Sequence, residues 1–289
     1  MGKHSKCLYV VMTCFNRKSQ TLACLEALFN NAVVRSGEVD IHVVVVDDGS
    51  TDGSSEAILG AHPTVQVIRG DGNLYWCRGM HRAIEEAQKH HFDYLLWLND
   101  DTLLFEDALG RLLLCDANLL ANSNKPRLIV GSTHDKTSGI LSYGGQVRSP
   151  GLRRTRFQLL ENKSSQPVRC DTMTGNIVLV PASTQSLVGN LDPTFEHAMG
   201  DTDYALRAVR LGVEVWAAPG VHGTCSDNPA ENTFMDAKLP LSARLKLILG
   251  RKGLPWRSWL VFTQRHTGIF WPLYFLWPYL SLILGRYGR

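Results

Sequence analysis

The stretch Tyr94-Leu95-Leu96-Trp97-Leu98-Asn99-Asp100-Asp101-Thr102 decides the fold. Its first five residues form an apolar run bounded by polar ones, the pattern of a buried strand, and two adjacent carboxylates stand at that strand's carboxyl end. In an open α/β sheet, ligands sit just outside those strand ends, which puts Asp100 and Asp101 where chemistry takes place. The competing reading makes Asn99, Asp100 and Asp101 turn and capping residues ahead of a helix over residues 106–122.

Toward the amino end, residues 8–14 are a β-branched apolar strand leading into the loop Thr13-Cys14-Phe15-Asn16-Arg17. A helix follows, with Leu22, Leu25, Leu28 and Phe29 at helical spacing. Residues 41–46 are a second apolar strand that ends in Asp47-Asp48-Gly49-Ser50-Thr51-Asp52-Gly53-Ser54, where Asp, Ser and Gly make turn chemistry. Asp52 reads as a turn residue, whereas Asp47 and Asp48 stand at a strand's carboxyl end and are ligand candidates. Residues 65–69 are a third strand. The glycine-rich loop 70–79, with Asn73, Trp76 and Arg78, precedes a helix over 80–89. The loop lacks the spacing of a phosphate-cradling P-loop, and Gly70 and Gly72 are too short a pattern for a dinucleotide fingerprint, which disfavours both classes. Strand and helix alternate through Leu98, predicting a mostly parallel sheet with helices on both faces.

Toward the carboxyl end, residues 128–132 are a strand, and 139–147, with Gly144-Gly145, read as a hairpin or bulged ribbon. Residues 148–156 hold four arginines and no acid, a solvated loop by default or a contact for an anionic substrate. Strand 176–180 follows, and Pro181 opens a helix where its missing N–H is harmless. Asp201-Thr202-Asp203 precedes a helix with Ala205, Leu206 and Val209 on one face and Gly212 as its carboxyl-terminal cap. Asp201 suits an N-cap; at the border of a cleft it also suits a general base, with Glu196 and His197 close in sequence. Strand 213–217 comes next, then His222 in a loop, where a lone histidine is by default a surface residue.

The chain has 289 residues, 44% hydrophobic and 20% charged, enough for one large α/β domain or two small ones. Its seven cysteines are scattered, with no Cys-x-x-Cys pair, which argues against a disulfide framework or zinc site and for a reducing compartment. The amino terminus has no signal-peptide pattern. The net charge of +3 hides an asymmetry: nine Lys and Arg but no Asp or Glu follow Asp236.

Taken together, these landmarks resemble glycosyltransferase family 2, inverting enzymes of the GT-A fold. The resemblance covers roughly residues 8–226 and rests on six features in order. They are the 13–17 loop, Val45-Val46-Asp47-Asp48-Gly49-Ser50-Thr51-Asp52, Gly72-Asn73, Leu98-Asn99-Asp100-Asp101, Gly175-Asn176 and Gly200-Asp201-Thr202-Asp203-Tyr204. The overall likeness is to bacterial members that build surface polysaccharides, rhamnosyltransferase-like ones among them. It implies a Rossmann-like nucleotide-diphospho-sugar transferase fold: a mostly parallel sheet flanked by helices, catalytic over 1–236, with a basic and apolar helical extension over 237–289.

The implied activity is metal-dependent, inverting transfer of a sugar from a nucleotide-diphosphate donor to a hydroxyl of a glycan or lipid-linked acceptor, with Mn2+ or Mg2+ as cofactor. Thr13 and Asn16 would line the nucleotide site, with Asp48 on the base or ribose and Asp47 supporting it. Arg17, Asn73, Arg78 and Asp100 belong to the same donor side, Asp100 toward the ribose. Asp101 would be the metal ligand, with His222 completing metal or diphosphate contacts, and Asp201 the base. Two departures stand out: Asn99 where the family's Asp-x-Asp has its first acid, and Gly200 where a Glu commonly precedes the base. They keep alive a non-catalytic glycan- or nucleotide-binding relative. A sugar nucleotidyltransferase is the other alternative, though residues 8–17 lack its glycine-rich basic loop.

Residues 268–284 are uncharged and rich in Trp, Phe, Tyr and Leu, with Pro272 and Pro278. Spanning takes ~20 apolar residues, so this run suits a shallow segment on an anionic leaflet, flanked by Lys252, Arg257, Arg265, His266, Arg286 and Arg289. The alternatives are a tail packed on the catalytic domain or a homodimer contact. The expected location is the cytoplasm, peripheral on the inner membrane, with no nucleic-acid partner.

Overall fold

The valine- and leucine-rich runs form the middle of an eight-stranded sheet in the computed structural model, which describes residues 5–152, 154–226 and 230–285. Its strands are β1 (Lys6–Cys14), β2 (Val39–Asp47), β3 (Gln66–Arg69), β4 (Tyr94–Leu98), β5 (Arg127–Val130), β6 (Val168–Cys170), β7 (Ile177–Pro181) and β8 (Glu214–Ala217), in the order β6-β8-β5-β7-β4-β1-β2-β3. Side chains alternate between two apolar faces, as strands covered on both sides require. Leu8, Val10 and Met12 join Val43, Val45, Leu96 and Leu98 on one face; Tyr9 and Val11 join Val44, Val46, Leu95 and Trp97 on the other. The first face is covered by α1 (Lys18–Phe29), α2 (Ala32–Arg35), α3 (Ser54–Ala61) and α5 (Ala108–Asn122). The second is covered by α4 (Tyr75–Ala87), α6 (Ala182–Val188), α7 (Gly200–Arg210) and α9 (Trp256–His266).

Pairing is parallel across β4-β1-β2-β3 and between β8 and β5, but β7 runs against both β4 and β5 and β6 runs against β8. A parallel neighbour needs a crossover that carries the chain back to the other edge of the sheet. After β5 the chain instead builds two small sheets beyond the carboxyl end and returns through β7. The expected ribbon over 139–147 divides between them. Leu141–Tyr143 pairs with Thr133–His134, while Gly145–Arg148 pairs with Phe157–Leu159 and Thr172–Met173.

Several expected boundaries move for identifiable reasons. The 70–79 loop is shorter, because α4 starts at Tyr75: the Asp48 carboxylate accepts the N–H groups of Leu74 and Tyr75 and so caps the helix from the loop just after β2. The capping role for Asn99, Asp100 and Asp101 fails, since the short strand Leu103–Leu104 intervenes before α5. Pro181 ends β7 and precedes α6 rather than lying inside it. Met199, not Asp201, is the N-cap of α7, and Gly212 takes its left-handed conformation one residue past the C-cap Leu211.

The extension continues through α8 (Leu241–Leu249), α9 and α10 (Trp271–Ile283). Trp259 and Phe262 of α9 are buried in the same core as Phe195 and Tyr204. Arg265 adds ion pairs to Asp192 at 2.8 Å and Asp203 at 2.7 Å, and His266 meets Asp203 at 2.8 Å. Arg148 and Arg154 of the basic loop lie toward this tail, where Arg154 donates to the Thr267 carbonyl at 3.3 Å. Arg153, Arg286 and Arg289 lie outside the described residues.

Candidate active site

The carboxyl ends of β1, β2 and β4 open onto a cavity of about 340 Å³ lined by Thr13, Cys14, Phe15, Arg17, Asp48, Gly72, Tyr75, Trp76, Asp100, His197 and Lys252. A larger hollow of about 700 Å³ lies at the opposite edge, around Lys6, Asp93 and Lys125, and holds none of the candidate residues.

Within the cleft, Thr13 donates to the Val46 carbonyl at 3.0 Å and tethers β1 to β2. Asn16, with φ of 51°, accepts the Thr51 N–H at 2.8 Å, so it joins two loops. Both oxygens of the buried Asp48 carboxylate accept backbone N–H groups from Gly72, Leu74 and Tyr75. Asp47, also buried, accepts from Ser50 N–H at 2.9 Å and from the Ser55 hydroxyl. These carboxylates therefore shape the loops that wall the cavity. Asn73 and Arg78 do not line it. Asn73 faces Arg251, and Arg78 donates to the Pro193 carbonyl at 2.9 Å and pairs with Glu196 at 3.3 Å.

Asp100 and Asp101 converge on a single guanidinium: Arg17 lies 3.2 Å from Asp100 and 2.6 Å from Asp101. Burial pushes the Asp100 carboxyl up to about 7, against the pull of Arg17. Two neighbouring carboxylates at a strand end are hard oxygen donors of the type a divalent ion takes, and here Arg17 supplies the positive charge between them; among the described residues the one group of three metal-capable side chains lies elsewhere, at Cys7, Asp40 and His42. Cys225, which sequence reasoning missed, lies beside them: its thiol faces Asp101 Oδ1 at 3.3 Å and the Asn176 amide at 3.5 Å. His222 is fully buried, not a surface residue. Its Nδ1 accepts the Ser132 N–H at 3.3 Å, its Nε2 has no hydrogen-bond partner among the described residues, and burial lowers its pKa to about 3. No contact joins it to Asp101 among the described residues. The nearest surroundings are Gly131 and Ser132, with Arg111 and Asp107 contributing charge.

Asp201 sits in the first turn of α7, facing the amino end of β7. One oxygen accepts the Gly175 N–H at 2.9 Å and the other the Thr202 N–H at 2.8 Å. The side chain is partly accessible, yet the protein crowded around it raises its pKa. These two backbone donors orient the carboxylate without a preceding acid.

Both departures from the family pattern meet consecutive residues at the start of α4. Asn99 Oδ1 accepts the Trp76 indole N–H at 2.7 Å, which fixes that ring over Gly175. A Cβ at Gly175 would lie 2.5 Å from the Trp76 ring. A Cβ at Gly200 would lie 2.3 Å from Cys77 Sγ, so Cys77 fills the place a side chain at 200 would need. Asn99 pairs with Trp76 and Gly200 with Cys77.

A large central sheet flanked by helices on both faces, with carboxylates and a cavity at its carboxyl edge, is an α/β architecture of the GT-A kind. The description "Glycosyl transferase family 2" matches residues 9–173, and the chain belongs to that family: it is a glycosyltransferase. Two solved structures share the fold. S. aureus TarS 1–349 has a TM-score of 0.52 at 10% identity, covering 89% of this chain and 69% of that one. The mannosyltransferase PcManGT from Pyrobaculum calidifontis, in complex with GDP-Man and Mn2+, has a TM-score of 0.55 at 14% identity, covering 98% and 71%. No curated protein matches the sequence.

Proposed function

We propose that the protein catalyses inverting transfer of a sugar from a nucleoside diphosphate to a hydroxyl on a glycan or lipid-linked acceptor, in building a bacterial surface polysaccharide. The observation that supports this best is Asp201: an acid with raised pKa, oriented by two backbone N–H groups, next to the Trp76 wall of the cavity. The nucleotide occupies the cavity between Thr13, Asp48 and Tyr75. Asp201 takes the proton of the acceptor hydroxyl as its oxygen attacks the anomeric carbon. The bond from that carbon to the diphosphate breaks on the opposite face, and the nucleoside diphosphate leaves with the bonding pair. A positioned carboxylate contributes on the order of 10²–10⁴-fold to such a step.

Mn2+ or Mg2+ held by Asp101, with Asp100 beside it, would offset the charge that builds on the leaving diphosphate. His222 is the candidate imidazole ligand on account of its unpartnered Nε2.

The extension is the candidate membrane contact. No helix among the described residues is long and apolar enough to cross a bilayer. However, Ile269, Phe270, Leu273, Leu276, Trp277, Leu280 and Ile283 are all exposed, at helical spacing along one stripe. The segment after Asp236 that carries this stripe holds nine Lys and Arg and no acid, a composition that would suit the cytoplasmic face of an anionic membrane, where a lipid-linked acceptor would reside.

The test is donor hydrolysis by purified protein over a panel of nucleotide sugars, with Mn2+, Mg2+ or chelator. Metal-dependent release from one donor is expected. Nucleotide binding with no turnover of any donor, even with lipid-linked acceptor added, refutes the enzymatic reading.

A further inference from the structure

We propose that the turn over residues 250–253 of the carboxyl-terminal extension is part of the donor site, with Lys252 as the cation that meets the donor diphosphate and Arg251 as the residue that holds it there. This rests on the donor reading above. Lys252 lines the same cavity as Thr13, Asp48, Tyr75 and Asp100, although it lies far beyond residue 173, where the family match ends. The other arginine or lysine of that wall, Arg17, is neutralised by Asp100 and Asp101. Lys252 forms no ion pair or hydrogen bond among the described residues, so its charge is available to an incoming anion. His197 beside it is neutral: burial lowers its pKa to about 4, and the charge of Lys252 adds to that.

The turn is fastened from several directions. Arg251 pairs with Glu196 at 3.1 Å, donates to Asn73 Oδ1 at 3.2 Å and stacks its guanidinium 5.0 Å over the Tyr75 ring. Tyr75 itself is held at a φ of 58°, a conformation that a bulky residue adopts only when its surroundings impose it. The turn closes on itself through Gly253 N–H to the Gly250 carbonyl at 2.9 Å and Leu254 N–H to the Ile248 carbonyl at 2.6 Å. Behind it, α9 is anchored by Arg265 on Asp192 and Asp203. Arg251 thus joins the extension to the first turn of α4, which carries Trp76, and to the loop that leads into α7, whose first turn carries Asp201.

The electrostatics call for such a group. A nucleoside diphosphate brings two or more negative charges to a wall that already holds Asp48 and Asp100. A lysine, a compact charge with three rotatable donors, can follow the phosphates as the bond to the sugar breaks.

The experiment is calorimetric titration of wild type, Lys252→Met and Lys252→Arg with UDP, GDP, ADP, CDP and dTDP, and with the nucleoside of whichever diphosphate binds. One charge-assisted hydrogen bond predicts that Lys252→Met weakens the diphosphate about tenfold or more, leaves the nucleoside unchanged, and that Lys252→Arg restores most of the loss. Arg251→Ala, which frees the turn, weakens the diphosphate in the same direction. Wild-type affinity for the diphosphate in Lys252→Met overturns the proposal, as does an equal loss for diphosphate and nucleoside, which makes Lys252 a wall residue only. Wild-type protein that binds none of the diphosphates overturns the donor reading and this one with it.

Discussion

Gly175→Ala tests how the proposed base Asp201 is held. The added Cβ would lie 2.5 Å from two atoms of the Trp76 ring and 3.4 Å from Asp201 Cβ. Ordinary carbon contacts begin near ~3.5 Å, so ring or backbone must move by about 1 Å. If the ring moves, the Trp76 bond to Asn99 at 2.7 Å is strained, and overpacking of this kind costs about 1–3 kcal/mol. If the backbone moves, the Gly175 N–H leaves Asp201, and a hydrogen bond to a charged group contributes about 1.5–3 kcal/mol. Since each ~1.4 kcal/mol is tenfold in rate, turnover is expected to fall about 10–100-fold. The assay pairs donor turnover with chemical denaturation, for Gly175→Ala alone and combined with Trp76→Ala. Removing the ring relieves the clash, so the double mutant recovers the stability lost through overpacking, a coupling that contacting residues show. Wild-type stability and turnover in Gly175→Ala, or losses that simply add in the double mutant, refute the reasoning.

Three further outcomes follow from the geometry. The raised pKa of Asp201 places the acid limb of the kcat/KM profile above the usual carboxylate range, because the base must be ionised and rate is lost as pH falls through that pKa; a profile flat down to pH ~4 contradicts this. His222, lowered to about 3 by burial, stays neutral in the folded chain while the unfolded chain takes up a proton as pH falls through ~6.5. Stability present above that pH is therefore lost toward pH 3, by about 2 kcal/mol at pH ~5, and His222→Leu should remove this slope in denaturation series; an unchanged slope removes His222 from the account. On the surface of α10, Leu273→Glu with Leu276→Glu should abolish flotation with anionic vesicles while leaving donor hydrolysis in solution intact. Flotation that persists, or a concentration-dependent dimer lost in the variant, moves the stripe from lipid to another occupant.

Much of the cleft was legible because the signals were local. The apolar run before Asn99-Asp100-Asp101 specifies β4 and its carboxyl edge, and the valines of β1 and β2 specify a sheet covered on both faces. What was not legible depends on contacts between distant residues. Nothing near Asp48 in sequence tells that its oxygens cap α4, so the sequence pattern alone puts the helix start five residues late, at 80 rather than Tyr75. Asn99 and Gly200 read as lost acids until Trp76 and Cys77 appear against them. His222 reads as an exposed loop residue because its burial comes from the short strands that close over it, Gly223–Thr224 against Leu103–Leu104 and Thr133–His134. Lys252 was legible only as basic charge in a tail; its place in the cavity wall follows from the packing of α9 on the second face of the sheet.

The central claim is that Asp201 removes the acceptor proton while the nucleotide is held elsewhere. Its most direct test measures donor turnover and nucleotide affinity on the same preparation of Asp201→Asn, an isosteric change that removes the base. The account predicts a fall in turnover of about 10²–10⁴-fold with nucleotide affinity unchanged. Near-normal turnover in that variant contradicts it.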